Sequence, residues 1–440
     1  MDKAENDLLT QTNRGTACGE LMRRYWLPVA LSEELPVDSQ SPLPVRLLGE
    51  DLVLFREPSG QPGLLDIHCP HRGADLSYGR LEDGGLRCIY HGWLFDIRGR
   101  CLDQPGEMSG GEHRDSICQR AYPCEEHSGT IFAYLGPGEP PLFPKYEFLN
   151  VPDENAFSIK LFSECNYLQG NEGNIDLGHL SFLHYNDKNR DQEAPPEEGR
   201  INPRGAAPEK ESCDVELTGY GVRSYKIRSF VKDPGKYRLY MTEFVLPCFT
   251  AFYGEQYDLD GSFSVNWHVP IDDTHHWKYT FIFSRNGPLD KAATRRRRAD
   301  MLEGYRPIRN KANRYQQHRD SMTYESYSGI GYNFQVQDLC VTEGMGPIQD
   351  RMKEHLTPMD RPIVMARKIL FGAIRDLQEG REPRNVIRDP KRNYFVISAC
   401  NDLLPVSTPW KDYMKEKNAK LEALLASRNQ ARVRDGEIND

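Results

Sequence analysis

Cys69-Pro70-His71 is followed, after sixteen intervening residues, by Cys88-Ile89-Tyr90-His91. Each of these two short stretches offers one thiol and one imidazole. The sequence around them has the rhythm of a small antiparallel sheet. Pro44-Val45-Arg46-Leu47-Leu48, Asp51-Leu52-Val53-Leu54-Phe55 and Leu64-Leu65-Asp66-Ile67 are short apolar runs broken by turn residues such as Pro58-Ser59-Gly60. Gly79, Gly84-Gly85 and, past Gly92-Trp93-Leu94-Phe95, Arg98-Gly99 mark further turns. Both Cys-His pairs therefore fall at hairpin tips, where glycine lets the backbone approach closely whatever the side chains hold.

Two thiolates and two imidazoles, one of each per loop, are the ligand set of a Rieske [2Fe–2S] cluster. Thiolates on one iron and neutral imidazoles on the other leave less negative charge than four cysteines and raise the reduction potential. A structural Cys₂His₂ zinc site uses the same donors but groups cysteine with cysteine and histidine with histidine. The mixed pairs point to the cluster, with backbone N–H groups aimed at its sulfurs to tune it. His68 and Cys101 fall outside the spacing and read as structural.

The chain has 440 residues, material for two or three domains. Its net charge of −9, with both signs interspersed, leaves no broad basic field and excludes nucleic acid as a partner class. The start, Met1-Asp2-Lys3-Ala4-Glu5, lacks a basic, apolar leader, and no apolar run is long enough for a bilayer, so a cytoplasmic protein without a membrane partner is expected. Eleven cysteines without pairing rhythm are not a disulfide scaffold. Gly136-Pro137-Gly138-Glu139-Pro140-Pro141 is strong punctuation and divides the chain into a domain over residues 1–145, with a helical lead-in, and a second over 146–440.

A second cluster of chemistry-bearing residues follows at once. Glu172, Asp176, His179 and His184 form Glu-x₃-Asp-x₂-His-x₄-His. On a helix Asp176 and His179 share a face, whereas His184 lies about 140° round from His179. A helix end or wide turn has to bring the two imidazoles to one point. Two histidines and a remote carboxylate make the facial triad of non-haem Fe(II) oxygenases, which leaves coordination positions open for O₂. By itself the motif is also compatible with histidines hydrogen-bonded in a helix contact, and Asp338, Glu343 and Asp350 are all available as the carboxylate.

Later in the chain, Val215–Thr218, Gly221–Arg228, Tyr237–Val245, Ser262–Trp267 and Trp277–Phe283 read as strands enclosing a pocket. Together with Gly19-Glu20-Leu21-Met22-Arg23-Arg24-Tyr25-Trp26-Leu27-Pro28, both Cys-His loops, the motif from Glu172 to His184, Gln337-Asp338 and Glu343-Gly344-Met345-Gly346-Pro347-Ile348, the chain resembles the oxygenase α subunits of the Rieske non-haem iron oxygenases, in the phthalate-dioxygenase-like branch. The likeness runs over nearly the whole length.

That resemblance implies an α+β protein, in which an N-terminal antiparallel β Rieske [2Fe–2S] domain precedes a helix-grip catalytic domain, an antiparallel sheet wrapped round a helix. It implies Cys69, His71, Cys88 and His91 as cluster ligands, and His179, His184 and Asp338 as ligands of a mononuclear Fe(II), with O₂ as co-substrate. Glu343 stays in reserve, and the alternative for Asp338 is a helix N-cap. Asp176 then bridges His91 of a neighbouring subunit to His179 and carries electrons between centres. This arrangement calls for a head-to-tail homotrimer or a stacked hexamer. No Gly-x-Gly-x-x-Gly follows a strand and no Cys-x₄-Cys-x₂-Cys occurs, so electrons come from a separate flavin and iron–sulfur reductase using NAD(P)H.

Relatives of this branch act mostly on aromatic carboxylates, by ring dihydroxylation or by O-demethylation. An anionic substrate calls for an arginine, and the candidates are Arg204, Arg223 and Arg228. The last two lie five apart on one strand and face opposite sides. A non-catalytic electron carrier and a ligand-binding module are the competing classes. Residues 193–208 read as a loop over the pocket, Ala292–Leu302 as a helix with a solvated Arg295–Arg298 face, and Met414–Leu425 as an amphipathic helix.

Overall fold

The computed structural model describes residues 1–107, 111, 114–187, 211–230, 233–253, 262–298 and 301–434. Arg204 and the 193–208 loop lie outside these residues. The first part of the chain forms small antiparallel sheets at the expected hairpins. Leu43–Leu47, Glu50–Arg56, Pro62–Asp66 and Ala121–Tyr122 form one, and Arg80–Glu82, Gly85–Arg87, Leu94–Phe95 and Cys101–Asp103 a second. A third joins Trp26–Leu31 and Cys124–His127 to either edge of Thr130–Tyr134. Val53, Phe55, Leu65, Leu76, Leu86 and Phe95 are buried in one cluster with Cys69 and Cys88. Each such side chain contributes about 1.5–3 kcal/mol on burial, so the two loops rest on a rigid apolar floor.

The second part is a single large sheet. Its strands are β1 (Ala156–Ser163), β2 (Glu211–Leu217), β3 (Gly221–Ser229), β4 (Lys236–Val245), β5 (Phe249–Phe252), β6 (Ser264–Pro270), β7 (His276–Phe283) and β8 (Cys400–Pro405). They pair antiparallel in the order β1-β7-β6-β5-β4-β3-β2, with β8 also paired to β4. Alternation in β6 and β7 puts Val265, Trp267, Tyr279 and Phe281 on the face joined to the main apolar core. Asn266, His268, Lys278 and Thr280 fall on the other.

Five helices matter for the site: α1 (Lys3–Thr10), α2 (Tyr167–Ile175), α3 (Phe334–Gly344), α4 (Arg361–Gln378) and α5 (Trp410–Arg434). Asn166 starts α2, its Oδ1 accepting the Leu168 N–H at 3.0 Å. Seven of the nine residues of α2 are buried, because it lies against β4–β7 and is covered by α1, α3 and α4. A helix enclosed this way needs no polar face, and its buried polar side chains must find partners.

Two expectations change in detail, and one alternative falls away. The helix read over Ala292–Leu302 is described over Lys291–Arg298, and Met301–Leu302 pairs instead with Arg306–Pro307. Arg295 is committed to Glu33 at 2.6 and 3.1 Å, so that member of the basic run is not simply solvated. Asp338 does not cap α3; Asn333 does, its Oδ1 accepting from Gln335 and Val336. The start of α5 caps the sheet, with Met414 buried among Tyr225, Leu239 and Cys400. No described helix is long and apolar enough to cross a membrane.

Candidate iron centres

The two Cys-His loops are built alike. Cys69 N–H donates to Ala74 O and Cys69 O accepts from Gly73 N–H, both at 2.8 Å. Cys88 repeats the pattern with Trp93 O at 2.8 Å and Gly92 N–H at 3.0 Å. The glycine four residues after each cysteine closes the loop at φ +75° and +76°, where a side chain would be strained. The equivalence was legible in Cys-x₃-Gly, a spacing the sequence reading did not use.

Cys69 and Cys88 are buried side by side, and the rings of His71 and His91 are 4.3 Å apart. His71 stacks on Trp93 at 4.5 Å, and its Nδ1 is buried without a hydrogen-bond partner. Burial pushes the Cys69 thiol up to about 11, although the His71 and Arg72 amides point at its sulfur and favour the thiolate. Two thiols side by side and an orphaned imidazole nitrogen at one point, with one thiol and one imidazole per loop, fit a bound iron–sulfur cluster.

The second group assembles where α2 ends. Asp176 is the C-cap of α2, and a short 3₁₀ turn over His179–Ser181 swings the chain back so that His184 can meet His179. Ligand atoms of His179, His184 and Asp338 lie within 4.8 Å of one another. Asp338 Oδ1 is 3.1 Å from His184 Nε2 and 3.9 Å from His179 Nε2.

The far sides of both rings are held by acceptors. His184 Nδ1 is 2.6 Å from Gln337 Oε1, and His179 Nδ1 is 3.3 Å from Asp176 Oδ2. A carbonyl or carboxylate oxygen only accepts, so each Nδ1 carries a proton, and Nε2 is the nitrogen each ring turns toward Asp338 and could offer to a metal. Burial opposes ionisation of Asp338, but the imidazoles, His184 foremost, hold its carboxyl below the usual carboxylate range. Two imidazole Nε2 atoms and a carboxylate converging in a half-buried place fit a divalent cation, and N₂O with open positions suits iron.

Burial also opposes the charge of Asp176, yet its bond to His179 and the amides of Gly178 and His179 hold its pKa low. Its Oδ1 accepts the Gly178 N–H at 2.6 Å.

Other carboxylates considered from sequence point elsewhere. Glu343 accepts from the Tyr315 hydroxyl and the Glu164 N–H, and Asp350 pairs with Lys353 at the surface. Glu172 is buried against Arg351 (2.8 Å) and Arg367 (2.6 Å).

Among the substrate arginines, Arg223 is already engaged. Its guanidinium is 2.9 Å from Glu243, on the strand face opposite Lys226. Arg228 shares its face with Lys226, which the sequence reading missed by considering only arginine. Lys226 Nζ donates to Leu177 O at 2.9 Å, inside the histidine loop, and lies 3.2 Å from Glu211.

Residues 25–121 match the Rieske [2Fe-2S] domain family, and residues 133–431 match the family described as LigXa C-terminal domain like. The chain is 32% identical over 433 residues to the 3-chlorobenzoate-3,4-dioxygenase oxygenase subunit of Comamonas testosteroni, covering 94% of this chain and 98% of the relative. It is 33% identical over 423 residues to the phthalate 4,5-dioxygenase oxygenase subunit of Pseudomonas putida, covering 93% and 94%. It is 31% identical over 417 residues to the 5,5'-dehydrodivanillate O-demethylase oxygenase subunit of Sphingobium sp., covering 94% and 88%. Two solved structures share the fold at 19% identity. Dicamba monooxygenase bound to dicamba has a TM-score of 0.56, covering 82% of this chain and 99% of that one. The terminal oxygenase of carbazole 1,9a-dioxygenase from Nocardioides aromaticivorans IC177 has 0.58, covering 84% and 97%.

The chain belongs to the Rieske non-haem iron oxygenases. Within that family it is a terminal oxygenase subunit, an oxidoreductase with a Rieske [2Fe–2S] cluster and a mononuclear iron.

Proposed function

We infer that this oxygenase uses O₂ and electrons from a separate reductase to hydroxylate an aromatic carboxylate, by ring dihydroxylation, with His179, His184 and Asp338 holding the catalytic iron and Cys69, His71, Cys88 and His91 the cluster. The observation that carries the reading is the convergence of His179 Nε2, His184 Nε2 and the Asp338 carboxylate in a half-buried place. Bound iron supplies open coordination positions for O₂ beside a substrate C–H bond or ring edge. Gln337 and Asp176 keep both histidines in the ligating tautomer.

Asp176 serves as the electron bridge. Its side chain is 29% exposed, and a carboxylate has lone pairs left after Gly178 and His179 for an imidazole N–H of a neighbouring subunit's His91. An acceptor between two imidazoles orients both and shortens the electron path. Ile89 and Tyr90 beside His91, and Phe182 and Tyr327 beside the histidine loop, are exposed. Two different apolar patches on one chain suit a heterologous, ring-closing contact, as in a homotrimer or a stack of two.

Lys226 and Arg228 are the cations we assign to the substrate carboxylate: they share one β3 face, Lys226 reaches the histidine loop, and both lie beside Glu211 at 3.2 and 3.6 Å. That relatives of this chain are phthalate, 3-chlorobenzoate and phenoxybenzoate dioxygenases supports an aromatic acid. Solved oxygenase–ferredoxin complexes of carbazole 1,9a-dioxygenase support a separate electron carrier, here a flavin and iron–sulfur reductase drawing on NAD(P)H.

The test supplies the holoprotein with reductase, NADH and labelled O₂, and offers benzene dicarboxylates with methoxylated and biaryl acids. Two labelled oxygens on a ring are expected. Formaldehyde with a free phenol would make the enzyme an O-demethylase like the dehydrodivanillate relative, and no product from any acid would sink the carboxylate reading. Iron no greater than acid-labile sulfide would favour a bare electron carrier.

A further inference from the structure

Beneath α2 lies a line of polar side chains, all buried except the half-buried Asn174, that the iron ligands do not use. His276 Nδ1 is 2.7 Å from Cys165 O, His268 Nδ1 is 3.0 Å from His276 Nε2, and His268 Nε2 is 2.6 Å from the Asn174 amide. The same amide lies 3.0 Å from Asn266, which meets Thr280 at 2.8 Å. His268 and His276 are 2% and 1% exposed. Gly170 makes room for them: a Cβ there would stand 2.5 Å from His268 Nδ1 and 2.7 Å from His276 Nε2.

The donors in this line can be counted. Cys165 O only accepts, so His276 carries its proton on Nδ1. If both rings are neutral, His276 Nε2 is a lone pair, His268 donates to it from Nδ1, and His268 Nε2 is a lone pair facing Asn174. Asn174 must therefore turn its amide nitrogen, not Oδ1, to His268. Its second N–H then goes to Asn266 Oδ1, and Asn266 donates to Thr280. The two amides turn together, since oxygen and nitrogen occupy interchangeable positions. The only other way to satisfy the line is an imidazolium. Burial, with Lys278 on the same sheet face, opposes that charge: His276 is pushed down to about 4 and His268 well below its usual value.

Asn174 sits in the last turn of α2, between Glu172, whose carbonyl accepts the Asp176 N–H at 2.9 Å, and Asp176 itself. We propose that Asn174 is a positioning residue for Asp176: the neutral, single-tautomer pair His276–His268 demands an N–H donor at Asn174, and that bond, shared with Asn266, fixes the helix end from which Asp176 reaches His179. The inference rests on the reading of Asp176 as the electron bridge. Misplacing one partner of such a bridge slows electron transfer between centres without touching a ligand of either.

The experiment mixes the reduced, substrate-loaded holoenzyme with O₂ and follows oxidation of the cluster by absorbance in a single turnover, with iron, sulfide and cluster EPR measured alongside. Asn174→Leu and His268→Leu are expected to keep the cluster signal and both kinds of iron but to slow cluster oxidation about tenfold or more. His268→Gln accepts from Asn174 through Oε1 and donates to His276 through its amide, and is expected to stay near the parent rate. Asp176→Asn is the control for the bridge. If Asp176→Asn is slow while Asn174→Leu matches the parent, the positioning role is overturned and the bridge stands. If Asp176→Asn itself matches the parent, the bridge reading fails and this inference fails with it. Should Asn174→Leu not fold, the His268 pair decides: equal rates for the Leu and Gln variants mean the ring only fills space, which also overturns the proposal.

Discussion

Gln337 Oε1 accepts the Nδ1–H of His184 at 2.6 Å, while Asp338, the next residue of the same helix, faces the Nε2 of the same ring at 3.1 Å. Two consecutive residues of α3 thus set the tautomer and complete the donor set of one histidine. Gln337 is itself anchored by donating to Gly331 O.

Loss of that outer acceptor should weaken iron binding without touching the cluster. Gln337→Leu is expected to lower Fe(II) affinity about ten- to a hundredfold, read by equilibrium titration of the iron-depleted catalytic site, with sulfide content unchanged. Gln337→Glu, which still accepts the Nδ1–H, should retain iron. Equal affinities for the two variants would disprove the tautomer argument.

Glu172 gives the fold an acid-sensitive joint. Burial by itself would raise its carboxyl pKa, but Arg351 and Arg367 hold it below its ordinary value of 4.5. Because the folded value lies below the unfolded one, this contribution is complete above about pH 4.5 and is lost as pH falls through the folded value. Glu172→Gln leaves two buried guanidinium groups short of a carboxylate and should cost about 3–5 kcal/mol at neutral pH. Thermal midpoints followed from pH 7 downward should fall less steeply for the variant; parallel curves would refute the linkage.

The two faces of β3 predict different outcomes for neighbouring cations. Lys226→Met and Arg228→Met should each reduce kcat/KM for a carboxylate substrate about ten- to a hundredfold, the worth of a charge-assisted bond. The loss should be smaller for the corresponding amide. Arg223→Met should instead lower thermal stability, because it strips Glu243 of its ion pair, with no preference between acid and amide. An acid-selective loss at Arg223 would reverse the assignment of faces.

Gly170→Ala sets helix propensity against space. Alanine favours the helix by about 1 kcal/mol, but its Cβ meets the His268 and His276 rings, which have nowhere to move. Overpacking of this kind costs about 1–3 kcal/mol. A net fall in the melting temperature is expected, and a rise would mean that the imidazoles shift freely.

The parts of this protein that could be read from its residues alone are the local ones. The two Cys-His loops are legible because a turn is closed within six residues, from cysteine to the residue after its glycine, and needs no distant partner. The apolar runs of β3, β4, β6 and β7 were legible for the same reason, since a strand's period is written in consecutive residues. The choice among distant groups was not. Asp338, Glu343 and Asp350 are similar carboxylates close together in the chain, and by residue chemistry alone they were equal; the packing of α3 on α2 turned the first to the histidines and the second to Tyr315, while the third lies beyond α3 and pairs with Lys353. Periodicity also separated Arg223 from Arg228 but could not say which face met the histidine loop, nor that Lys226 stood there. A period says which side chains share a face; what that face meets is decided by tertiary contact.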